Sequence, residues 1–530
     1  MGRRSQVVSA TGLISSLTFA SRILGVVRDS VVAAHLGATR YNDIFQIAFA
    51  IPNLARRVLG EGALSAFIVP IITGIRRKEG EAAAWRSTCN AFNLFAAITL
   101  ALAIVGCLFA KPLFFLYGGA RFQFADQPAL FALGGSLTRI MFPYLMFLAL
   151  VALLMGVLHS LNHFFAPALG SIVINIVVIA AALLFFKVED RQFLYVLAVA
   201  VMIGAVIRLL LLFPPLIRRG FRWRPIFDWR EKGFRELASK LPAAFYGTAI
   251  AQINIAITLN LANWCGEGSV TYLQYSQRLI QLPLALFAAA LSTALLPQLS
   301  AVVAAGDRRE LRDLMTFAFR AIALAFFPAA IGLMVLGPPI VQVLFQRGAW
   351  EEAATKGTAL ALLCYAIGLV ALGAQRIFIP LYYAQKDMMT PVKYGAAAMV
   401  VNIVLAVALM LIVRAYWPPL AFAGLALASS LSASLNGWLL WRGLTRRFGR
   451  DLAGPAGSIL LRALLCAAFM GVVCSLGFHA SERALHHPTG TAVLFALTVA
   501  WVVAGVAVYA IATRAVALWD RQALARLLRR

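Results

Sequence analysis

The chain has 530 residues, of which 62% are hydrophobic and 13% charged, and a mean hydropathy of +0.84. It is far more apolar than the roughly 45–50% of a soluble domain, which excludes a water-soluble enzyme of ordinary composition. The formal net charge of +26 would suit a nucleic-acid partner, but the cations lie in short stretches beside apolar runs, as in 218-RRGFRWR-224, 308-RRELR-312 and 521-RQALARLLRR-530. Anionic membrane lipid attracts such segments by about 1 kcal/mol per residue; membrane lipids are therefore the expected partners, and no nucleic acid is.

In chain order, stretches of membrane-spanning length cover 7–35, 42–73, 88–110, 132–157, 164–186, 193–216, 241–263, 270–304, 314–346, 357–383, 394–413, 420–441, 459–479 and 490–513. Arg3 and Arg4 before an apolar run suggest a signal peptide, but Arg22 interrupts that run and no clear cleavage site follows. The first stretch therefore reads as a retained helix. The expected fold is an all-α polytopic membrane protein of about 14 transmembrane helices. An even count puts both termini on one side, and the loops of that side hold most of the 47 Lys and Arg. By the positive-inside rule that side is the cytoplasm.

Two short patterns recur six spans apart. In the second and eighth spans 63-ALSAFIVP-70 matches 290-ALSTALLP-297, and a cytoplasmic loop leading to a proline and then an asparagine recurs as Pro167 with 174-INIV-177 and Pro391 with 401-VNIV-404. Six spans preserve membrane orientation, which implies two parallel lobes: an N-terminal lobe over 1–236, a C-terminal lobe over 237–448, and a helix pair with a cytoplasmic tail over 449–530. The small-residue stretch 425-LALASSLSASLNG-437 reads as a close-packing face.

Catalytic signals are missing. The six cysteines and six histidines show no metal-binding spacing, and the chain contains no Walker A loop, GxSxG elbow or kinase set. A transporter is expected rather than an enzyme, with no catalytic residue, no cofactor and no metal.

The informative residues are basic ones inside apolar stretches, each costing a few kcal/mol on insertion scales. Arg22, Arg28, Arg56, Arg57, Arg139, Arg208, Arg278, Arg320 and Arg376 face only Asp29, Asp43 and Glu61 as acids at comparable depth. Arg57 and Glu61 are four apart and can pair on one helix face, and Asp29, seven after Arg22, returns to nearly the same face. Positive charge is left over around the first, second and eighth spans, which predicts a cationic pocket for an anion, and the planar guanidinium suits phosphate. Arg139, Arg208, Arg320 and Arg376 read instead as headgroup or helix-end contacts. Asn53 adds a polar group, Gln252 in the seventh span is counted with the supporting residues, and Gly25, Pro52, Gly60 and Gly62 are expected to unwind the helices locally.

The stretch 15-SSLTFASRILGVVRDSVVAAHLGATRYNDIFQIAFAIPNLARRVLGEGALSAFIVP-70, with 272-YLQYSQRLIQLPLALFAAALSTALLPQLS-300 and 382-YYAQKDMMTPVK-393, resembles the MurJ (MviN) family of lipid II flippases in the multidrug/oligosaccharidyl-lipid/polysaccharide exporter superfamily. The resemblance implies fourteen helices and translocation of lipid II, the undecaprenyl-pyrophosphate-linked peptidoglycan precursor, from the inner to the outer leaflet of the bacterial cytoplasmic (inner) membrane. It implies a role in cell-wall synthesis and partners among the cell-wall synthesis proteins. The family's essential arginines match Arg22, Arg28, Arg56 and Arg278, with Asp29, Asp43, Asn53 and Glu61 in the same motifs. One departure is that relatives commonly carry Ala-Asp before the eighth-helix arginine where this chain has Ser276 and Gln277. That leaves anion binding by Arg278 intact and removes the acid a salt-bridge gate would use. The rival readings are a flippase for another polyprenyl-pyrophosphate-linked glycan and a drug/cation antiporter, which would carry carboxylates in its cavity.

Overall fold

The computed structural model describes residues 3–55, 63–124, 127–449, 452, 454, 456–485 and 490–518; for 3–15, 18, 54–55, 63–66, 241–251, 288–297 and 304 it gives the backbone alone. Every regular element among these residues is helical. The chain divides into two compact units, one of Met1–Val270 with Arg347–Trp350 and the other of Thr271–Gln346 with Glu351–Arg530.

The first unit opens with α1 (Arg3–Leu36), which Gly37 ends in a left-handed conformation (φ +60°), and α2 (Arg40–Ala55). Gly37 is required there because a Cβ would lie 2.3 Å from the Ala349 carbonyl oxygen. Then come α3 (Ala63–Glu79), α4 (Glu81–Leu108), α5 (Ala110–Phe114), a π-helical turn at Phe115–Gly119, α6 (Ala120–Phe124), α7 (Pro128–Met141) and α8 (Tyr144–Ser160). α3 ends on Arg76, Arg77 and Lys78 while α4 begins with Glu81, so each end carries the charge its backbone dipole favours. Leu148 through Leu154 are buried without interruption. A helix apolar and covered all round is a central one, and α8 is packed by α3, α4 and α10. α9 (Phe165–Leu184), α10 (Asp190–Leu210), α11 (Phe213–Ile217) and α12 (Lys232–Trp264) complete the unit.

The second unit holds most of α13 (Ser269–Ala305), then α14 (Arg308–Val335), α15 (Gly337–Phe345), α16 (Glu352–Ala366), α17 (Leu369–Ala384), α18 (Met389–Tyr416), α19 (Ala421–Phe448), α20 (Ala456–Ala484) and α21 (Thr491–Ala515). The small-residue stretch of α19 does pack closely. Ser430 Oγ donates to the Cys364 carbonyl at 2.7 Å, Ser432 Oγ donates to that of Ala398 at 2.6 Å, and a Cβ on Gly368 would meet Ser430 Cα at 2.8 Å. α20 and α21 pack on α14 through Ala467, Met470, Cys474 and Phe478, and Tyr509 OH donates to the Ala323 carbonyl at 2.9 Å.

Among the described residues nine helices, counting bent neighbours such as α7 and α8 as one, are long and apolar enough to cross a membrane; the pair α16 and α17, bent by 43°, makes ten. Helices also occupy the remaining expected spans, α1, α2 with α3, α12 and α13; the figure of fourteen crossings rests on the sequence.

The repeated loops share a backbone design. α8 ends with Asn162 at φ +56° and a bond from His163 N to the Leu158 carbonyl at 2.9 Å; α17 ends with Lys386 at φ +61° and a bond from Asp387 N to that of Tyr382 at 3.0 Å. Both are left-handed caps closed by a six-residue ring. Pro167 and Pro391 each stand five residues past the left-handed residue. Arg219, after α11, donates to the Leu161 carbonyl, and Arg447, at the end of α19, to the Gln385 side chain at 3.4 Å. Leu161 and Gln385 both immediately precede the left-handed residue.

Candidate functional site

The site is built from α1 outward. Ser21 and Arg28 are seven residues apart and so share a face of α1, with Gly25 between them. That face meets Asn175 of α9. Asn175 Nδ2 donates to the Ser21 carbonyl at 3.0 Å and to the Ser171 carbonyl at 3.2 Å, while its Oδ1 accepts from Arg28 Nη1 at 3.2 Å. A Cβ on Gly25 would stand 4.0 Å from Asn175 Nδ2, an ordinary van der Waals contact, so the amide does not depend on the glycine for room. The expectation that Gly25 and Pro52 break their helices is corrected here: α1 is continuous through Gly25 and α2 through Pro52.

Arg28 folds back along α1 onto Asp29. Its Nε and Nη2 reach the same carboxylate oxygen at 3.0 and 2.7 Å. With Nη1 on Asn175, all three guanidinium nitrogens are engaged, at 22% side-chain exposure. Asp29 is buried at 6%, where a lone carboxylate would be costly; the charge-assisted fork is its compensation. The arrangement is an arginine already binding an oxyanion, on an apolar helix. Arg22 lies two turns earlier and is exposed.

Asp43 does a different job. It is buried at 1%, and its Oδ2 accepts from Gly268 N at 2.8 Å. Arg40 contacts Glu267 from both backbone N and Nε at 3.2 Å, so the first turn of α2 holds the glycine-containing turn between α12 and α13. Asn53 is half-buried in the last turn of α2, and Gln252 is buried in α12 at 6%. Arg56, Arg57, Glu61, Gly60 and Gly62 lie outside the described residues.

In the second unit Arg278 is half-buried on α13, its guanidinium carbon 5.1 Å from the centre of the Tyr275 ring. Tyr275 is fully buried, edge-on to Phe345 at 5.0 Å, so the ring is a fixed platform for the cation. Ser276 turns inward, its hydroxyl donating to the Tyr272 and Thr358 carbonyls at 2.5 and 2.8 Å, and Gln277 is exposed.

A family model described as lipid II flippase MurJ matches residues 32–508 of the chain. The chain belongs to the MurJ family. A lipid II flippase MurJ of Burkholderia cenocepacia is 33% identical over 439 residues, 82% of this chain and 83% of that one. The solved structure "Lipid II flippase MurJ, inward closed conformation" superposes with a TM-score of 0.74 at 24% identity, covering 95% of this chain and 99% of that one. An inward-facing multidrug resistance MATE family transporter of the MOP superfamily superposes at 0.63 and 13% identity, over 81% and 94% of the two chains.

Against that background the remaining arginines separate by partner. Arg139 Nε donates to the Cys107 carbonyl in the last turn of α4 at 3.1 Å, the helix-end contact expected of it. Arg208 lies across Gly170, where a Cβ would meet its Cγ at 2.8 Å, and Arg376 is exposed. Sequence reasoning missed Asn175 and Tyr275 as site neighbours. An asparagine inside an apolar helix was the available signal for the first; an aromatic three residues before Arg278 carried none.

Proposed function

We propose that the chain flips lipid II from the inner to the outer leaflet of the bacterial inner membrane by alternating access of two six-helix lobes. In this reading fourteen helices cross the membrane, both termini are cytoplasmic, and the lobes span 1–236 and 237–448. Arg22, Arg28, Arg56 and Arg278, with Asn53, bind the pyrophosphate, while Asp29, Asp43, Arg57, Glu61 and Gln252 support or gate. α20 and α21, with many exposed apolar side chains, take the lipid tail in this reading. Cell-wall synthesis proteins are the partners this role implies.

The observation that carries the reading is the fork of Arg28 on Asp29. A phosphate oxygen entering beside α1 can take the place of the carboxylate oxygen without changing the guanidinium geometry. With the cell interior negative, outward movement of anionic charge is favoured by about 2.3 kcal/mol per charge per 100 mV, so no nucleotide site is needed. The second reading, a flippase for another polyprenyl-pyrophosphate-linked glycan, shares this chemistry. The experiment that decides is depletion of the protein in its own host, followed by identification of the lipid-linked precursor that builds up on the inner leaflet. Accumulation of a different glycan, with lipid II exposed normally outside, would reject the first reading in favour of the second.

A further inference from the structure

Between α11 and α12 the chain runs without helix over residues 218–231, yet it is fixed in place. Asn90 of α4 pairs with Asp228 in both directions, its Nδ2 donating to the Asp228 carbonyl at 2.8 Å and its Oδ1 accepting from Asp228 N at 2.7 Å. Asn93, one turn later, donates to the Arg224 and Ile226 carbonyls at 2.7 and 3.0 Å and accepts from Trp223 Nε1 at 2.9 Å. Both asparagines are buried, at 1% and 5%. Phe221 and Phe234 anchor the two ends, the first against Trp85 and Phe213, the second against Phe95. Backbone that would otherwise be a free loop is thus strapped to a membrane-spanning helix.

What the strap presents outward is unusual for a water-facing loop. Trp223, Phe227 and Trp229 are 57%, 59% and 57% exposed, and the neighbouring Arg218, Arg222, Arg224 and Arg230 are exposed as well. Asp228 and Glu231 are the acids of the strap, and each already serves backbone: the Asp228 side chain accepts from Arg230 N at 2.9 Å and the Glu231 side chain from Phe234 N at 2.7 Å. Exposed tryptophan rings belong at headgroup depth; Trp223 keeps its ring exposed while its Nε1 is held by Asn93. Guanidinium groups pair with lipid phosphate and are drawn to an anionic leaflet.

We propose that residues 218–230 form an interfacial docking strap for anionic phospholipid, with Trp223, Phe227 and Trp229 inserted at headgroup depth and the arginines paired to lipid phosphates. The occupant is a bilayer surface because aromatic and basic side chains alternate along an extended segment at a span end. A phosphate pocket would converge its donors on one point. The strap seats the α11–α12 connection on the membrane and is separate from the Arg28 site.

The test uses the full chain in nanodiscs of mixed zwitterionic and anionic lipid, with bromine placed near the headgroup on one lipid class at a time. The tryptophan fluorescence of the protein minus that of Trp223→Phe/Trp229→Phe isolates the two rings. Their quenching should be severalfold stronger from brominated anionic lipid than from brominated zwitterionic lipid. Arg222→Gln/Arg224→Gln/Arg230→Gln should close that gap. So should Asn90→Ala/Asn93→Ala, which keeps every cation but removes the asparagine bonds that hold the strap. Equal quenching by both lipid classes, or full access of the two rings to aqueous iodide, overturns the proposal. So does a gap that survives Asn90→Ala/Asn93→Ala. Loss of the gap in inorganic phosphate, but not in chloride of equal ionic strength, also overturns it, by assigning the arginines to a free-phosphate site.

Discussion

Asn175→Asp tests the proposed anion site more sharply than removal of an arginine. The substitution is nearly isosteric: one oxygen faces Arg28 Nη1 at about the present 3.2 Å and gives the guanidinium a second carboxylate beside Asp29, while the other replaces the donor that serves the Ser21 and Ser171 carbonyls, so the variant should melt earlier. At an effective dielectric constant near 20, two unit charges about 4 Å apart attract by about 4 kcal/mol. Arg28 is 22% exposed, and water at the site reduces that to about 1–2 kcal/mol. An entering pyrophosphate must overcome this added attraction, and every 1.4 kcal/mol is tenfold, so its affinity should fall about five- to thirtyfold. Asn175→Leu loses the amide but adds no charge; it should bind with near-normal affinity while melting earlier, since about 1 kcal/mol of hydrogen bonding goes with each lost partner. The assay is the Kd for undecaprenyl pyrophosphate measured on purified protein, with thermal unfolding alongside. Unchanged affinity in Asn175→Asp, with the protein folded, would remove Arg28 from the binding site.

Arg28→Lys keeps the charge but loses the fork, and complementation of a depleted strain should fail nearly as completely as with Arg28→Ala. Arg208→Gln and Arg320→Gln should support growth, whereas Arg56→Gln and Arg278→Gln should not; equal loss at all four, with expression unchanged, would mean that the site is wider than drawn. The Asp387 carboxylate, in the loop before α18, is pulled down to about 2 by hydrogen bonds from Thr390 and then by Arg447. Because the folded value lies below the ordinary one, its contribution is present above about pH 4 and lost as pH falls toward 2. Asp387→Asn should therefore lower the unfolding temperature at pH 7, with the difference shrinking below about pH 4 and vanishing only below about pH 2. Collapsing the membrane potential at constant pH gradient should slow outward exposure of the precursor, by the 2.3 kcal/mol per charge per 100 mV above less whatever charge the arginines carry back. An unchanged rate, with a large loss when the pH gradient alone is removed, would point to proton coupling through Asp29, Asp43 or Glu61.

Composition and hydropathy made the helical membrane fold legible, because burial of backbone polar groups in lipid leaves few alternatives. The two matching loops were also legible as proline spacing, and their shared backbone basis, left-handed caps at Asn162 and Lys386, is something no propensity announces at a lysine. The glycines misled. Gly25 reads as a helix breaker, but α1 runs through it unbroken, because a single glycine weakens a packed helix by about 1 kcal/mol without ending it. Asp43 was legible as a buried acid and illegible as the acceptor for Gly268 N, since the partner lies 225 residues away.

The net charge of +26 divides by what each guanidinium touches. Arg139 and Arg219 satisfy the carbonyls of Cys107 and Leu161, and Arg121 that of Asn263. These are helix-end and turn carbonyls that lipid cannot hydrate, so their cations substitute for water and carry no information about a ligand. Arg222, Arg224 and Arg230 lie beside exposed tryptophans at a span end, where the membrane surface is the partner. Arg28 fits neither class: it touches a carboxylate and an amide, both side chains, about two turns before the end of α1. Backbone carbonyls would have met its need for acceptors at less electrostatic cost than a buried Asp29. A fork preset for an oxyanion explains both residues together, and it explains why this position, rather than the many more exposed arginines, is where substitution by lysine is expected to matter.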